Sequence, residues 1–261
     1  MLRYFRILKV FIRASFIRDI AFRGAFYIDL FHAVLWLGLF FLVIEVFFSH
    51  TAEIIGWNKG NLIVLLGVWS LLDDLANGTF WEGVKRIPTL VADGQLDFIL
   101  TRPVDSQFII AVERFRFSRA IPLIADVTLI VYGVNVGGAA SGASMIVLFP
   151  LMLMAGYITA FSLFYFLHTL GFWFFRIDNI WALYEGIENV GKYPVDVFGR
   201  HIKLISLTIV PIAVMMLLPA EAIVGFLSGL EVLNALAVAL AGFWLTRKFY
   251  LFSVRRYSSI A

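Results

Sequence analysis

The feature that most restricts this chain is its succession of apolar runs, each close to the length of a membrane span. Residues 27–49 hold LWLGLFFLVIEVFF at their centre, and residues 61–81, 121–136, 144–175 and 230–245 repeat the pattern. A helix crosses the hydrocarbon core with about 20 apolar residues, and inside lipid only helices and closed barrels satisfy their own backbone. Soluble domains are roughly 45–50% apolar and about 25% charged. Here 61% of residues are hydrophobic and 15% are charged. A water-soluble globule is excluded, and so is disorder, because 27 Phe and 7 Trp require burial. The expectation is an all-α polytopic membrane protein, a single domain over 1–261 with six transmembrane helices.

The flanks of these runs carry the charge. Residues 1–24 show no secretory signal, because apolar and basic positions alternate without a continuous apolar core. On a helix, Arg3, Arg6, Lys9 and Arg13 share one side, with Phe5, Leu8, Phe11, Ile12 and Phe16 opposite. That pattern predicts a helix lying in the interface, its basic face toward anionic lipid headgroups. The alternative is a cytoplasmic extension of the first span. The N-terminal segment, the 82–119 loop and the C-terminal tail hold 16 of the 21 Lys and Arg. By the positive-inside rule all three face the cytoplasm, so both termini are expected there and the number of spans is even.

Enzymatic chemistry has little to stand on. The absence of Cys removes disulfides, thiolate metal sites and cysteine nucleophiles. His32, His50, His168 and His201 are scattered, with no ligand pair at helical spacing. Gly78 and Gly83 have the spacing of a phosphate-binding loop, but Val84 stands where the lysine belongs and no hydroxyl residue follows it. No cofactor, metal or nucleic acid is expected on this chain. Ionisable residues at membrane depth remain, since each costs at least about 2.5–3.5 kcal/mol in lipid. Asp73 and Asp74 lie in the second span; Glu185 and Glu188, three apart, share a helical face. They either line a pathway or subunit interface, or they snorkel and pair with nearby Lys and Arg.

The loop VADGQLDFILTRPVDSQFIIAVERF is the most informative stretch. Gly94 stops one helix, LDFILTR makes two amphipathic turns, and Pro103 excludes helical geometry before it. Asp105 or Ser106 then serves as an N-cap. A short exposed helix with apolar Leu96, Phe98, Ile99 and Leu100, rimmed by Asp97, Arg102 and Asp105, has the form of a docking knob; the alternative is a plain turn.

Gly94-x-Leu96-Asp97-x-x-Leu100-x-Arg102-Pro103 resembles the cytoplasmic loop signature of type-2 ABC exporter permeases, closest to a bacterial subgroup of small six-span permeases. Tyr193-Pro194, the stretch IVPIAVMMLLPAEAI and Arg256-Tyr257-Ser258-Ser259 add weaker matches, so the resemblance covers nearly the whole chain. It implies an N-terminal elbow helix, six spans, a coupling helix over residues 94–103 and an outer-side re-entrant hairpin over 200–226. It implies a multi-pass protein of the bacterial plasma membrane, paired with a second permease as a homodimer or paralogous heterodimer. ATP and Mg would sit on separate cytoplasmic ATPase subunits that dock on Gly94, Leu96, Asp97, Leu100, Arg102 and Pro103. The fifth span would be 178–196, whereas hydropathy alone prefers 204–226. A stand-alone secondary transporter or channel using the intramembrane carboxylates is the rival.

Overall fold

The computed structural model describes residues 2–21, 23–137, 143–174 and 180–258. Helix α1 (Leu2–Ala21) is the amphipathic segment and α2 (Arg23–Phe48) the first apolar one. Along α1, Phe5, Phe16 and Ile17 are exposed while Ser15 is buried. A minimal hairpin, β1 (Glu53–Ile54) and β2 (Trp57–Asn58), turns through Gly56 at φ +78°. Asn58 then caps the next helix, its side chain accepting the Asn61 N–H at 2.9 Å.

That helix is longer than the sequence implies. α3 (Lys59–Ala76) passes through a π turn (Asn77–Trp81) into α4 (Glu82–Val84) and α5 (Ile87–Ala92). The 34-residue run extends about 51 Å, well beyond a hydrocarbon core of about 30 Å. The polar residues after Trp81 therefore continue a helix out of the membrane rather than starting a loop, held by the Lys85–Glu82 pair at 2.8 Å. Gly94, at φ +68°, ends the run.

Two short helices follow, α6 (Leu96–Leu100) and α7 (Ser106–Val112), and a 3-10 turn (Phe117–Arg119) leads into α8 (Ala120–Gly137). α9 (Ala143–Thr169) runs on through a 3-10 turn to Phe172. α10 (Ile180–Val190), α11 (Arg200–Thr208), a π turn (Ala213–Leu217), α12 (Leu218–Val224) and α13 (Gly229–Arg256) complete the chain. α13 opens with a reciprocal cap, in which Ser228 and Glu231 satisfy each other's backbone N–H.

Among the described residues four helices are long and apolar enough to cross a membrane: Lys59–Ala92, Phe117–Gly137, Ile146–Phe172 and Gly229–Arg256. α11 and the 213–224 segment count as a fifth if a bent pair is one span, but they meet at 80°. Residues 204–226 are thus not one straight span, as hydropathy alone would have it. Pro211, at the break, lacks an N–H and its ring excludes the continuing helix. α10 has 11 residues, a length of about 16 Å, too short to cross unaided.

Packing centres on α3, α8 and α9. α3 and α8 approach along Gly60, Gly67, Gly133 and Gly137; a Cβ on Gly133 would lie 2.8 Å from the Gly60 carbonyl oxygen. Small residues at such a seam let two membrane helices touch backbone to backbone. α9 stacks Phe164 on Trp81 at 5.4 Å between ring centroids, and Tyr184 of α10 meets both rings edge-on.

Candidate functional site

The expected docking knob has a different exposure from the one its composition suggests. Leu96 and Ile99 are 0% and 4% exposed and belong to the main core, with Leu100 packed against it. Phe98 is 72% exposed, and Arg102 and Pro103 are also exposed. Residues three apart share a helix face, and here that face turns inward. The expected exposed apolar cluster of Leu96, Phe98, Ile99 and Leu100 is corrected to one exposed apolar side chain, Phe98. Asp97 is half-buried beside it.

The knob is tied firmly to its surroundings. Asp105 caps α7 by accepting the Phe108 N–H at 3.0 Å, and its carboxylate takes both terminal nitrogens of Arg247 on α13. Arg247 also donates to Gln107 at 2.9 Å, and the Tyr250 hydroxyl donates to Ser106 at 2.9 Å. Gly83 lies so close to the Ile110 carbonyl that a Cβ would overlap it. On the other side α1 grips the chain. Ser15 Oγ accepts the Phe115 N–H at 3.1 Å, Asp19 accepts the Phe117 N–H at 2.6 Å, and Arg18 donates to the Phe115 carbonyl at 2.9 Å. Burial, with Arg86 and Arg18 nearby, pushes the Arg114 guanidinium below its ordinary value.

The ionisable residues of the spans converge on one cavity of about 250 Å³ between α2, α3, α8 and α10. Its walls carry Ser70, Asp73 and Asp74 from α3 and Asn77 from the π turn that follows it, Asp126 from α8, and Glu185, Glu188 and Asn189 from α10. Arg119 and Lys192 are its cations. Arg119 Nη1 meets Asp74 Oδ1 at 2.7 Å, and Asn77 donates to Asp73 at 3.2 Å. Asp126 and Glu188 are 1% and 5% exposed, while Glu185 is largely exposed. Neither oxygen of Asp126, nor Oε1 of Glu188, meets a donor in good hydrogen-bond geometry; Ser70 and the Asp74 carboxyl lie beside Asp126, and the Asp73 carboxyl beside Glu188. The Lys192 ammonium lies over three rings, 4.3 Å from the centroid of Trp69, 5.0 Å from Trp36 and 5.4 Å from Phe40.

All four carboxylates named from sequence therefore line the same cavity. Asp126, Arg119 and Lys192 were missed. Asp126 carried a usable signal, a lone carboxylate inside the apolar run 121–136. His168 sits elsewhere, buried on α9 with Nδ1 2.9 Å from the Phe164 carbonyl oxygen.

Long apolar helices around a cavity lined with charged side chains mark a polytopic helical membrane protein. The model of the family described as "ABC-2 family transporter protein" matches residues 34–261, and the chain belongs to that family. No curated protein matches it.

Proposed function

We propose that this chain is the transmembrane subunit of an ATP-driven exporter of the bacterial plasma membrane. It pairs with a second permease, a copy or a paralogue, and is driven by separate ATPase subunits that carry the ATP and Mg. Both termini and residues 82–119 face the cytoplasm, α1 is the interfacial elbow, and residues 94–103 form the coupling helix. The 80° bend at residues 209–212 supports the re-entrant hairpin over 200–226, with α10 as the core of the fifth of six spans. Closure of the ATPases moves the knob and alternates access to the pathway.

The observation that carries this reading is the form of α6. It is a short helix anchored inward by Leu96 and Ile99, with Phe98 standing 72% exposed beside Arg102 and Pro103. A lone exposed aromatic on a rigid base, rimmed by charge, is what a docking anchor looks like. The carboxylate cavity also suits a second reading, a stand-alone cation-coupled transporter.

The test is co-purification from the native host with an ATPase whose hydrolysis is vanadate-sensitive. Phe98→Asp is expected to leave insertion and thermal unfolding unchanged and to weaken ATPase retention roughly thirtyfold, the loss of an anchor worth about 2 kcal/mol. Full retention by Phe98→Asp, with coupled hydrolysis intact, would remove the docking role. Transport that persists without any ATPase favours the second reading.

A further inference from the structure

We propose that the carboxylate cavity binds the head of an organic ammonium cargo, and that Lys192 occupies the site as a tethered stand-in. The inference rests on the permease reading and adds the chemical class of what is moved.

Charge comes first. Five carboxylates and two cationic side chains line the cavity, and Arg119 is committed to Asp74 at 2.7 Å. Asp126 and Glu188 are almost wholly buried, yet three of their four oxygens meet no donor in good hydrogen-bond geometry and lie beside Ser70 and the carboxyls of Asp74 and Asp73. Buried acceptors of this kind are rarely left unmet, because each retains its full desolvation cost. An ammonium that carries N–H groups would meet that deficit and offset the charge; an anion would do neither, and a neutral sugar would donate hydrogen bonds without offsetting the charge.

The aromatic wall narrows the class. Trp36, Phe40 and Trp69 surround the Lys192 Nζ at 4.3–5.4 Å, and stacking of rings around a cation is how proteins hold substituted ammonium groups. Lys192 is itself such a group. Its ammonium sits within the field of Asp73, Glu185 and Glu188 and donates a hydrogen bond to Asn189 Oδ1. It follows the end of α10 on a four-carbon stem, so it can leave the rings by side-chain rotation alone. A metal ion fits less well, because among the described residues no three His or carboxylate side chains are grouped to ligate one.

Size sets the remainder. At about 250 Å³ the cavity falls just below the roughly 300–1,000 Å³ of pockets that enclose a drug-sized molecule. It takes a primary ammonium head, and the apolar part of an amphiphile remains in the bilayer beside α2.

The experiment is calorimetric titration of the full chain in dodecyl maltoside with benzylammonium chloride. Benzyl alcohol and sodium chloride serve as the neutral and ionic controls. Saturable heat with the cation alone is expected. Lys192→Met, which removes the stand-in, is expected to tighten binding by about tenfold or more, the scale of a desolvated cation–π contact. In that background Glu188→Gln and Trp69→Leu should each weaken it at least as much, with thermal unfolding run on every variant. Asp126→Asn is the further carboxylate variant should Glu188→Gln fail to fold. Affinity indifferent to Lys192→Met, or equal heat from sodium chloride, overturns the proposal. Retention of the ATPase with no cation binding sinks the cargo class alone. Cation binding in a chain that never engages an ATPase sinks the exporter reading and leaves the site.

Discussion

Arg119→Met is the perturbation that most directly probes the interior of the cavity. Asp74 is 5% exposed, and Arg119 Nη1 sits 2.7 Å from its Oδ1. At that separation the Coulomb attraction is about 6 kcal/mol with an effective dielectric of about 20. Most of it offsets the desolvation of the two ions, so the pair adds little net stability, whereas removing one partner costs about 3–5 kcal/mol. Asp73 adjoins on the same helix and also lies in the field of Arg119, so loss of the guanidinium leaves two neighbouring carboxylates without that cation. We expect Arg119→Met to lower the unfolding free energy by about 3–5 kcal/mol, measured by dodecyl sulfate titration in mixed micelles with tryptophan fluorescence. Asp74→Asn should be milder, since an amide needs no counter-charge. The double variant should recover most of the loss, with a coupling energy of about 2 kcal/mol or more. Arg119 makes other contacts, and the double-mutant cycle removes their contribution. A coupling below about 0.5 kcal/mol, typical of an exposed ion pair, would refute the reasoning: the cavity would then be bulk-like water and its carboxylates in no need of a partner.

The other two predictions concern topology and packing. The chain has no Cys, so Arg200→Cys gives a single label, and a membrane-impermeant maleimide is expected to reach it only from outside the cell; labelling confined to the cytoplasmic face would make the bent 200–224 segment a crossing. Gly133→Val, whose Cβ would lie 2.8 Å from the Gly60 carbonyl oxygen, should cost about 1–3 kcal/mol by forcing α3 and α8 apart. Gly186→Ala, with open space at its Cβ, should leave the unfolding midpoint unchanged or raise it.

The spans were legible because a membrane helix declares itself by a long uninterrupted apolar run, and α3, α8, α9 and α13 each contain one. The ends of those helices were not. Glu82, Lys85 and Arg86 read as the start of a loop, yet a helix leaving the bilayer into water has polar residues at that point. The facing of α6 was beyond reach for another reason. LDFIL has four apolar residues in five, and a run so short has no periodicity with which to choose a face. What turns Leu96 and Ile99 inward is the core they join, which includes Leu90 and Val91 of α5 and Tyr250 on α13. Pro211 announced a break in the 204–226 run but not its angle. In the cavity each carboxylate was individually conspicuous by its cost in lipid. That residues 73, 126 and 188 meet depends on how three helices pack, which no local pattern encodes.

One helix carries both the cavity and the surface against which the knob rests, and the irregularity between them has a structural consequence. The π turn at Asn77–Trp81 separates Asp73 and Asp74 from Gly83, the point where α7 lies against the helix. Such turns release carbonyl groups from the helical ladder and occur most often at functional positions. Here Gly78 uses its carbonyl to accept the Arg116 N–H at 3.0 Å, and Thr79 shares a hydrogen bond with Tyr157 of α9 at 2.6 Å. The segment from Phe115 to Arg119 is thereby bonded to α1 at one end, to the π turn in its middle, and through Arg119 to Asp74 at the other. A displacement of α6 and α7 has two short routes to the cavity: along the helix through Gly83, and across Arg116 to the salt bridge. Both routes run through bonded or touching groups at the π turn, and neither passes through the glycine-packed seam between α3 and α8.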